Sequence, residues 1–289
     1  MLTRLSDLAR ERIGLKPALT APRIAGLLEN IAECDRAERV NRVERAGSGD
    51  PAWKAFTEAL LVHETYFFRH PAQIKFLAEE VLPEVLAECI RAGRRKLRIW
   101  CAGCASGEEV YTIALILEAA ISRTPHGALS SWDALVLGTD LSEQMVEFAG
   151  RGRYTLSAGL NSFRDIPDFA RHHFEPVLDG GETTWTASGE LKRCTRFLRQ
   201  NLVSDPAPFQ DADLILCRNT LIYFDEANTK LALTRMKAAL RPSGVLMLGS
   251  ADTLRDTAGF TAITEEQVLF WRKLPAEATT AAAQTSGHV

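Results

Sequence analysis

The run Trp100-Cys101-Ala102-Gly103-Cys104-Ala105-Ser106-Gly107-Glu108-Glu109 follows an apolar stretch, passes through small residues and closes on two acids. Glycines at 103 and 107 let a turn approach a bound molecule closely. A strand, such a turn and then a helix is where open α/β sheets hold ligands. The run lacks the G-x-G-x-x-G spacing of dinucleotide sites. Glu108 and Glu109 would also repel a pyrophosphate from a helix N-terminus that otherwise attracts one. A ligand with positive charge and no phosphates suits it better, and S-adenosylmethionine, with its sulfonium and ammonium, is of that kind. The competing reading is a plain structural turn.

Three further segments carry polar chemistry. Ala134–Leu137 reads as a second strand ending in Gly138-Thr139-Asp140. An acid there can accept hydrogen bonds from a ribose diol, or it can cap the helix starting near Ser142. The interval from the glycine turn exceeds the ~20 residues of dinucleotide folds, which disfavours NAD. His63-Glu64-Thr65-Tyr66-Phe67-Phe68-Arg69 sets aromatic rings between polar ends. Arg69 is a planar donor suited to gripping a carboxylate, or else the rim of an aromatic plug between two domains. Leu214 to Phe224 runs from a buried strand into Arg218-Asn219. Asn219 can offer donor and acceptor together to an adenine or methionine group, or cap a loop.

Other clusters read more blandly. Cys101-x-x-Cys104, with Cys217 on a neighbouring strand and His63 nearby, could in principle assemble a zinc site. Strand-end cysteines usually serve as small buried hydrophobes, and no metal is expected. Arg36, Arg39, Arg42 and Arg45 recur every third residue among Glu38 and Glu44. That is a solvated helix face by default, or a contact strip for an acidic partner.

The elements that must position these groups follow from pattern. The first ninety residues read as helices, with Thr20 as a candidate cap, Asp50-Pro51 as a cap and first-turn proline, and a helix from Pro71. Pro83 should kink that helix and Gly93 should end it. From Lys96 onward strands alternate with helices, as in a doubly wound parallel sheet. Residues 1–92 are therefore read as a helical N-terminal domain and 93–275 as an α/β domain. Gly180-Gly181 marks a hairpin within a small β-rich insertion over about 154–195. Residues 276–289 are expected to be a disordered tail.

Composition narrows the class. Apolar residues are 46% of 289, enough for a buried core, and 34 basic against 37 acidic residues leave a net charge of −3. Duplex DNA binders need an excess of Lys and Arg, so no nucleic-acid partner is expected. Glu118 interrupts the richest apolar run, Val110–Ile121, short of the ~20 residues a membrane span needs. The first residues lack the apolar core of a secretory signal, and six unevenly spaced cysteines do not suggest a disulfide framework. A cytoplasmic location is expected.

In order and spacing, ETYFFR, CAGCASGEE and CRNTLIYF resemble the CheR-type chemotaxis receptor methyltransferases, over about Leu5 to Lys273. The resemblance implies a Rossmann-like methyltransferase sheet of seven strands, an all-helical N-terminal domain and a small inserted antiparallel β-subdomain. It assigns S-adenosylmethionine contacts to His63, Thr65, Arg69, Glu109, Asp140, Asn201, Leu202, Asn219 and Thr220, with S-adenosylhomocysteine as the product. It sets Tyr223 near the transferred methyl, with Arg69 as the other catalytic candidate. The implied acceptors are glutamate side chains on the cytoplasmic helical bundle of a chemoreceptor, esterified at the γ-carboxylate. Two departures stand out. His63 occupies a position more often Asn, and the insertion shows only Gly180-Gly181 where pentapeptide-binding members carry a glycine-patterned loop. Docking to a receptor's C-terminal pentapeptide is therefore unsupported.

Overall fold

Six helices precede the sheet. Leu5, Ala9 and Ile13 give α1 (Leu2–Ile13) one buried stripe, and Gly14 closes it at φ +81°. α2 (Pro17–Glu29) opens on Pro17. Thr20 therefore lies inside the helix instead of capping it, its hydroxyl donating to the Lys16 and Pro17 carbonyls. α3 (Glu33–Arg45) buries only Val40, so Arg39, Arg42 and Arg45 face solvent. α4 (Pro51–Leu60) starts as expected, with Asp50 accepting from the Ala52 N–H at 2.7 Å. α5 (Pro71–Phe76) continues through a π-helical stretch, Leu77–Val81, into α6 (Leu82–Arg91). The widened turn just before Pro83 accommodates its ring and missing N–H, so the helix continues past it.

The computed structural model describes residues 1–275 apart from 126, 156–165, 180, 251, 253, 255–256, 258 and 266–267; the expected tail at 276–289 lies outside the described residues. After α6 the chain alternates: β1 (Lys96–Ala102), α7 (Glu108–Ser122), β2 (Asp133–Asp140) and α8 (Glu143–Arg151). The insertion contributes β3 (Arg153–Thr155), α9 (Asp168–Arg171), β4 (Phe174–Asp179) and β5 (Glu182–Ala187), with strand order β3-β5-β4. Then come α10 (Gly189–Cys194), β6 (Thr195–Arg199), β7 (Ala212–Cys217), α11 (Glu226–Ala239), β8 (Leu240–Leu248), β9 (Phe260–Glu265) and β10 (Val268–Lys273). β9 was not expected from the sequence.

The main sheet has seven strands in the order β6-β2-β1-β7-β8-β10-β9. The strands from β6 to β8 pair in parallel, and β10 runs antiparallel to both neighbours. From β1 the chain moves outward to β2 and β6, then returns to lay β7 on the other side of β1. The order thus reverses between β1 and β7, and ligands bind beyond the strand ends at such a point. Alternate strand residues feed two apolar layers. Leu97, Ile99, Leu214 and Leu216 pack under α5, α6 and α7. Trp100, Ala102, Ile215 and Cys217 pack under α1, α4 and α11. The helices before residue 92 therefore divide between the two faces, and the first four roof the side where the β1–β7 crevice opens.

Candidate active site

Beyond β1 the chain turns with left-handed backbone at Gly103 (φ +79°), Ala105 (+45°) and Gly107 (+94°). The turn is tied to the end of β2. The Gly103 and Cys104 N–H groups donate to the Thr139 carbonyl at 2.8 and 2.9 Å. Asp140 accepts from the Ala105 N–H at 2.8 Å and from the Ser142 N–H at 3.0 Å, one on each carboxylate oxygen. Ser142, not Asp140, is the cap of α8, accepting from the Met145 N–H. Each Asp140 oxygen retains a lone pair that a diol could use. Burial pushes its pKa above the ordinary value, and the two N–H donors oppose that rise.

A Cβ at Gly103 would lie 2.2 Å from Thr220 Oγ1. Positive φ adds its own penalty for an L side chain, so Gly103→Ala should cost about 2 kcal/mol and lower Tm by about 5 °C. Cofactor affinity should fall about tenfold, because Thr220 must move. Thermal unfolding and calorimetric titration measure both effects, and unchanged values would refute this account of the turn.

His63, Thr65, Arg69, Glu109, Asp140, Asn201, Leu202, Asn219, Thr220 and Tyr223 all line one cleft of about 1240 Å³, including its open mouth. They come from the loop after α4, the start of α7, the ends of β2, β6 and β7, and the turn before α11. Their partners differ. Arg69 Nη1 donates to the Glu64 carbonyl at 2.6 Å, its guanidinium stacks 5.5 Å from the centre of the Tyr66 ring, and its buried Nε has no partner. Asn219 sits at φ +55°, its N–H donating to Asp252 at 3.0 Å and its Oδ1 3.2 Å from His70 Nε2. Burial, then Arg218, lowers the His70 pKa. Burial raises that of the half-buried Tyr223 phenol, with Arg69 near enough to oppose the rise.

The side chains of Asn201 and Glu109 are engaged as well. Asn201 donates from Nδ2 to the Arg12 carbonyl at 2.7 Å and accepts from the Val203 N–H at 2.9 Å, fastening the end of α1 to the cleft. Glu109 pairs with Arg218 at 2.8 Å. Sequence reasoning passed over Arg218 itself. Its side chain is only 2% exposed, and it also donates to Gln73 and to the Arg69 carbonyl. It thus joins α5, the aromatic loop and α7. A basic residue directly after the apolar run Leu214–Cys217 was the available signal.

Cys101, Cys104 and Cys217 are buried free thiols whose pKa values burial pushes well up, as befits small apolar side chains. Among the described residues no group of His, Cys, Asp and Glu has the arrangement of a metal site. No helix among them is long and apolar enough to cross a membrane.

The residues present suit S-adenosylmethionine. Asp140 offers free lone pairs, the Arg69 guanidinium lines the cleft as a cation suited to a carboxylate, and Glu109 stands at the helix start where a dinucleotide site would cradle phosphate. On a doubly wound sheet with an antiparallel last strand, such a cleft makes the chain an S-adenosylmethionine-dependent methyltransferase. The family described as "CheR methyltransferase, SAM binding domain" matches residues 63–269, and the chain belongs to it. It is 27% identical over 260 residues to a chemotaxis protein methyltransferase of Borreliella burgdorferi, covering 88% of each chain. It is 34% identical over 203 residues to one from Vibrio parahaemolyticus, covering 69% of this chain and 68% of that one. A 104.1 kDa uncharacterized protein of Rhodobacter capsulatus is 33% identical over 216 residues, 74% of this chain but 21% of that protein.

Proposed function

We propose that this chain methylates the side-chain carboxylates of specific glutamates on the cytoplasmic helical bundle of a chemoreceptor. The products are glutamate γ-methyl esters and S-adenosylhomocysteine. The supporting observation is that Arg69 and Tyr223 line the same cleft as Asp140 and the glycine turn, in a chain similar to proteins named for chemotaxis methylation.

When bound, S-adenosylmethionine supplies an electrophilic methyl group on a positively charged sulfur. Asp140 would hold its ribose, and Thr65, Asn219 and Thr220 its polar edges, with His63, Asn201, Leu202 and Glu109 completing the walls. Arg69 would orient a carboxylate, either the cofactor's or the acceptor's, by a charge-assisted hydrogen bond from its guanidinium. Tyr223 would close the reacting centre with a phenol that is protonated at neutral pH, as tyrosine ordinarily is. An acceptor glutamate is already ionised there, so no side chain need act as a general base. As the new C–O bond forms the C–S bond breaks, and its electron pair stays on sulfur. Alignment supplies most of the acceleration. The exposed arginines of α3 give an acidic bundle a complementary surface, which favours encounter more than final affinity.

Transfer of labelled methyl from S-adenosylmethionine to a receptor cytoplasmic fragment tests the proposal. Label should be lost on mild alkaline hydrolysis, as esters require, and be absent from fragments with acceptor Glu→Gln changes. Arg69→Ala should lower kcat/KM about 100-fold and Tyr223→Phe about tenfold. Full activity in Arg69→Ala, or label stable to base, would overturn it.

A further inference from the structure

α4 delivers Glu58 to a point between two walls of the cleft. Its Oε1 accepts from the Ser142 hydroxyl at 2.7 Å and lies 3.1 Å from His63 Nε2, a close approach that lacks hydrogen-bond alignment. Glu58 and His63 are mostly buried, at 23% and 22% side-chain exposure. Ser142 is fully buried, and it is the residue whose N–H engages Asp140 and whose hydroxyl oxygen caps α8. By donating to Glu58, that hydroxyl keeps its lone pairs turned toward the Met145 N–H. Hydrogen bonds therefore run from Glu58 through Ser142 to Asp140 and the Ala105 N–H, with His63 set against the Glu58 end by close approach.

The same pair of helices is joined a second time by Lys54 and Glu143 at 2.7 Å, but these side chains are 45% and 48% exposed. Exposed pairs contribute little, whereas a sheltered carboxylate holding a buried hydroxyl is directional and hard to replace.

We propose that Glu58 is a positioning residue of the cofactor site, fixing His63 and Ser142 relative to each other. Helices ahead of the sheet thereby set cofactor affinity together with the sheet's own turn. The proposal rests on the reading of His63 and Asp140 as cofactor contacts.

Calorimetric titration of the full chain with S-adenosylhomocysteine tests it, alongside steady-state kinetics. Glu58→Ala should raise Kd and the KM for S-adenosylmethionine about tenfold, with kcat within about twofold. Glu58→Gln should stay within about threefold of the natural chain, because its amide oxygen can still accept from Ser142 and lie against His63 from the Oε1 position. Lys54→Ala should bind normally. Should Glu58→Ala fail to unfold cooperatively, Glu58→Met against Glu58→Gln decides in the same way. Unchanged Kd in the alanine or methionine variant overturns the proposal. So does a glutamine variant as weak as either, or a loss confined to kcat. Asp140→Ala separates the two levels: if it binds normally, the cofactor-site reading itself fails, whatever Glu58 does.

Discussion

An Asp140→Ala chain is expected to fold and to have lost at least about 100-fold in affinity for S-adenosylmethionine and S-adenosylhomocysteine alike. The carboxylate accepts from two backbone N–H groups, one on the glycine turn and one at the start of α8. Each such bond to a charged acceptor contributes about 1.5–3 kcal/mol, and losing both frees the turn that shapes the cleft. The ribose would lose its acceptor in the same step. Burial holds the Asp140 pKa above its ordinary value even with both donors in place, so the charge is kept at some cost to the folded state and the carboxylate serves the ligand as well as the turn. Calorimetry gives Kd, and thermal unfolding should show a cooperative transition with Tm lowered by about 5–10 °C, from the two backbone N–H groups left without an acceptor. Asp140→Asn, able to accept on only one atom, should fall between the two. Tight binding by the alanine variant would remove Asp140 from the site and reassign it to loop structure alone.

Much of this architecture was legible because it is local. Apolar runs of strand length flanked by helical spacing gave the parallel sheet, and the small-residue turn and the acid after the second strand fell where the order reverses. Asp140 shows the limit of choosing between readings. Ribose acceptor and helix cap were set against each other, yet its side chain braces the turn and leaves lone pairs free, while Ser142 does the capping. What sequence could not show is long-range pairing. Arg218 meets Gln73 and Glu109 from far along the chain, and Asn201 is turned toward Arg12 by the packing of α1. The same holds for Glu58, an ordinary exposed-looking acid on α4 until α8 packs against it. Thr20 failed as a cap because Pro17 begins the helix a turn earlier, and at Pro83, where a kink was expected, the helix carries a π-helical stretch immediately before the proline.

Glu108→Gln should make the protein more stable at pH 8 and scarcely alter it at pH 5. Glu108 begins α7 with a fully buried side chain. Ser106 donates to one oxygen at 2.7 Å, and the other is buried without a partner. Burial raises its pKa from 4.5 to about 7, against the opposing pull of the Ser106 hydroxyl. Below pH 4.5 the carboxyl is protonated in folded and unfolded chains alike, and the group imposes no pH dependence. As pH rises through 4.5 the unfolded carboxyl ionises while the folded one keeps its proton, so stability falls. The fall ends as the folded group ionises near pH 7, by which point the loss is about 3 kcal/mol. Glutamine cannot ionise and removes that slope, although its amide N–H2 needs a partner of its own. A gain of about 2 kcal/mol at pH 8 is therefore expected, about 5 °C in Tm. Melting both chains from pH 5 to 8 tests this directly, and parallel curves would mean that the buried oxygen finds a counter-charge. The carboxyl's one hydrogen bond, from Ser106, ties the start of α7 to the turn that leads into the cleft, so the burial cost is set against the shape of that turn.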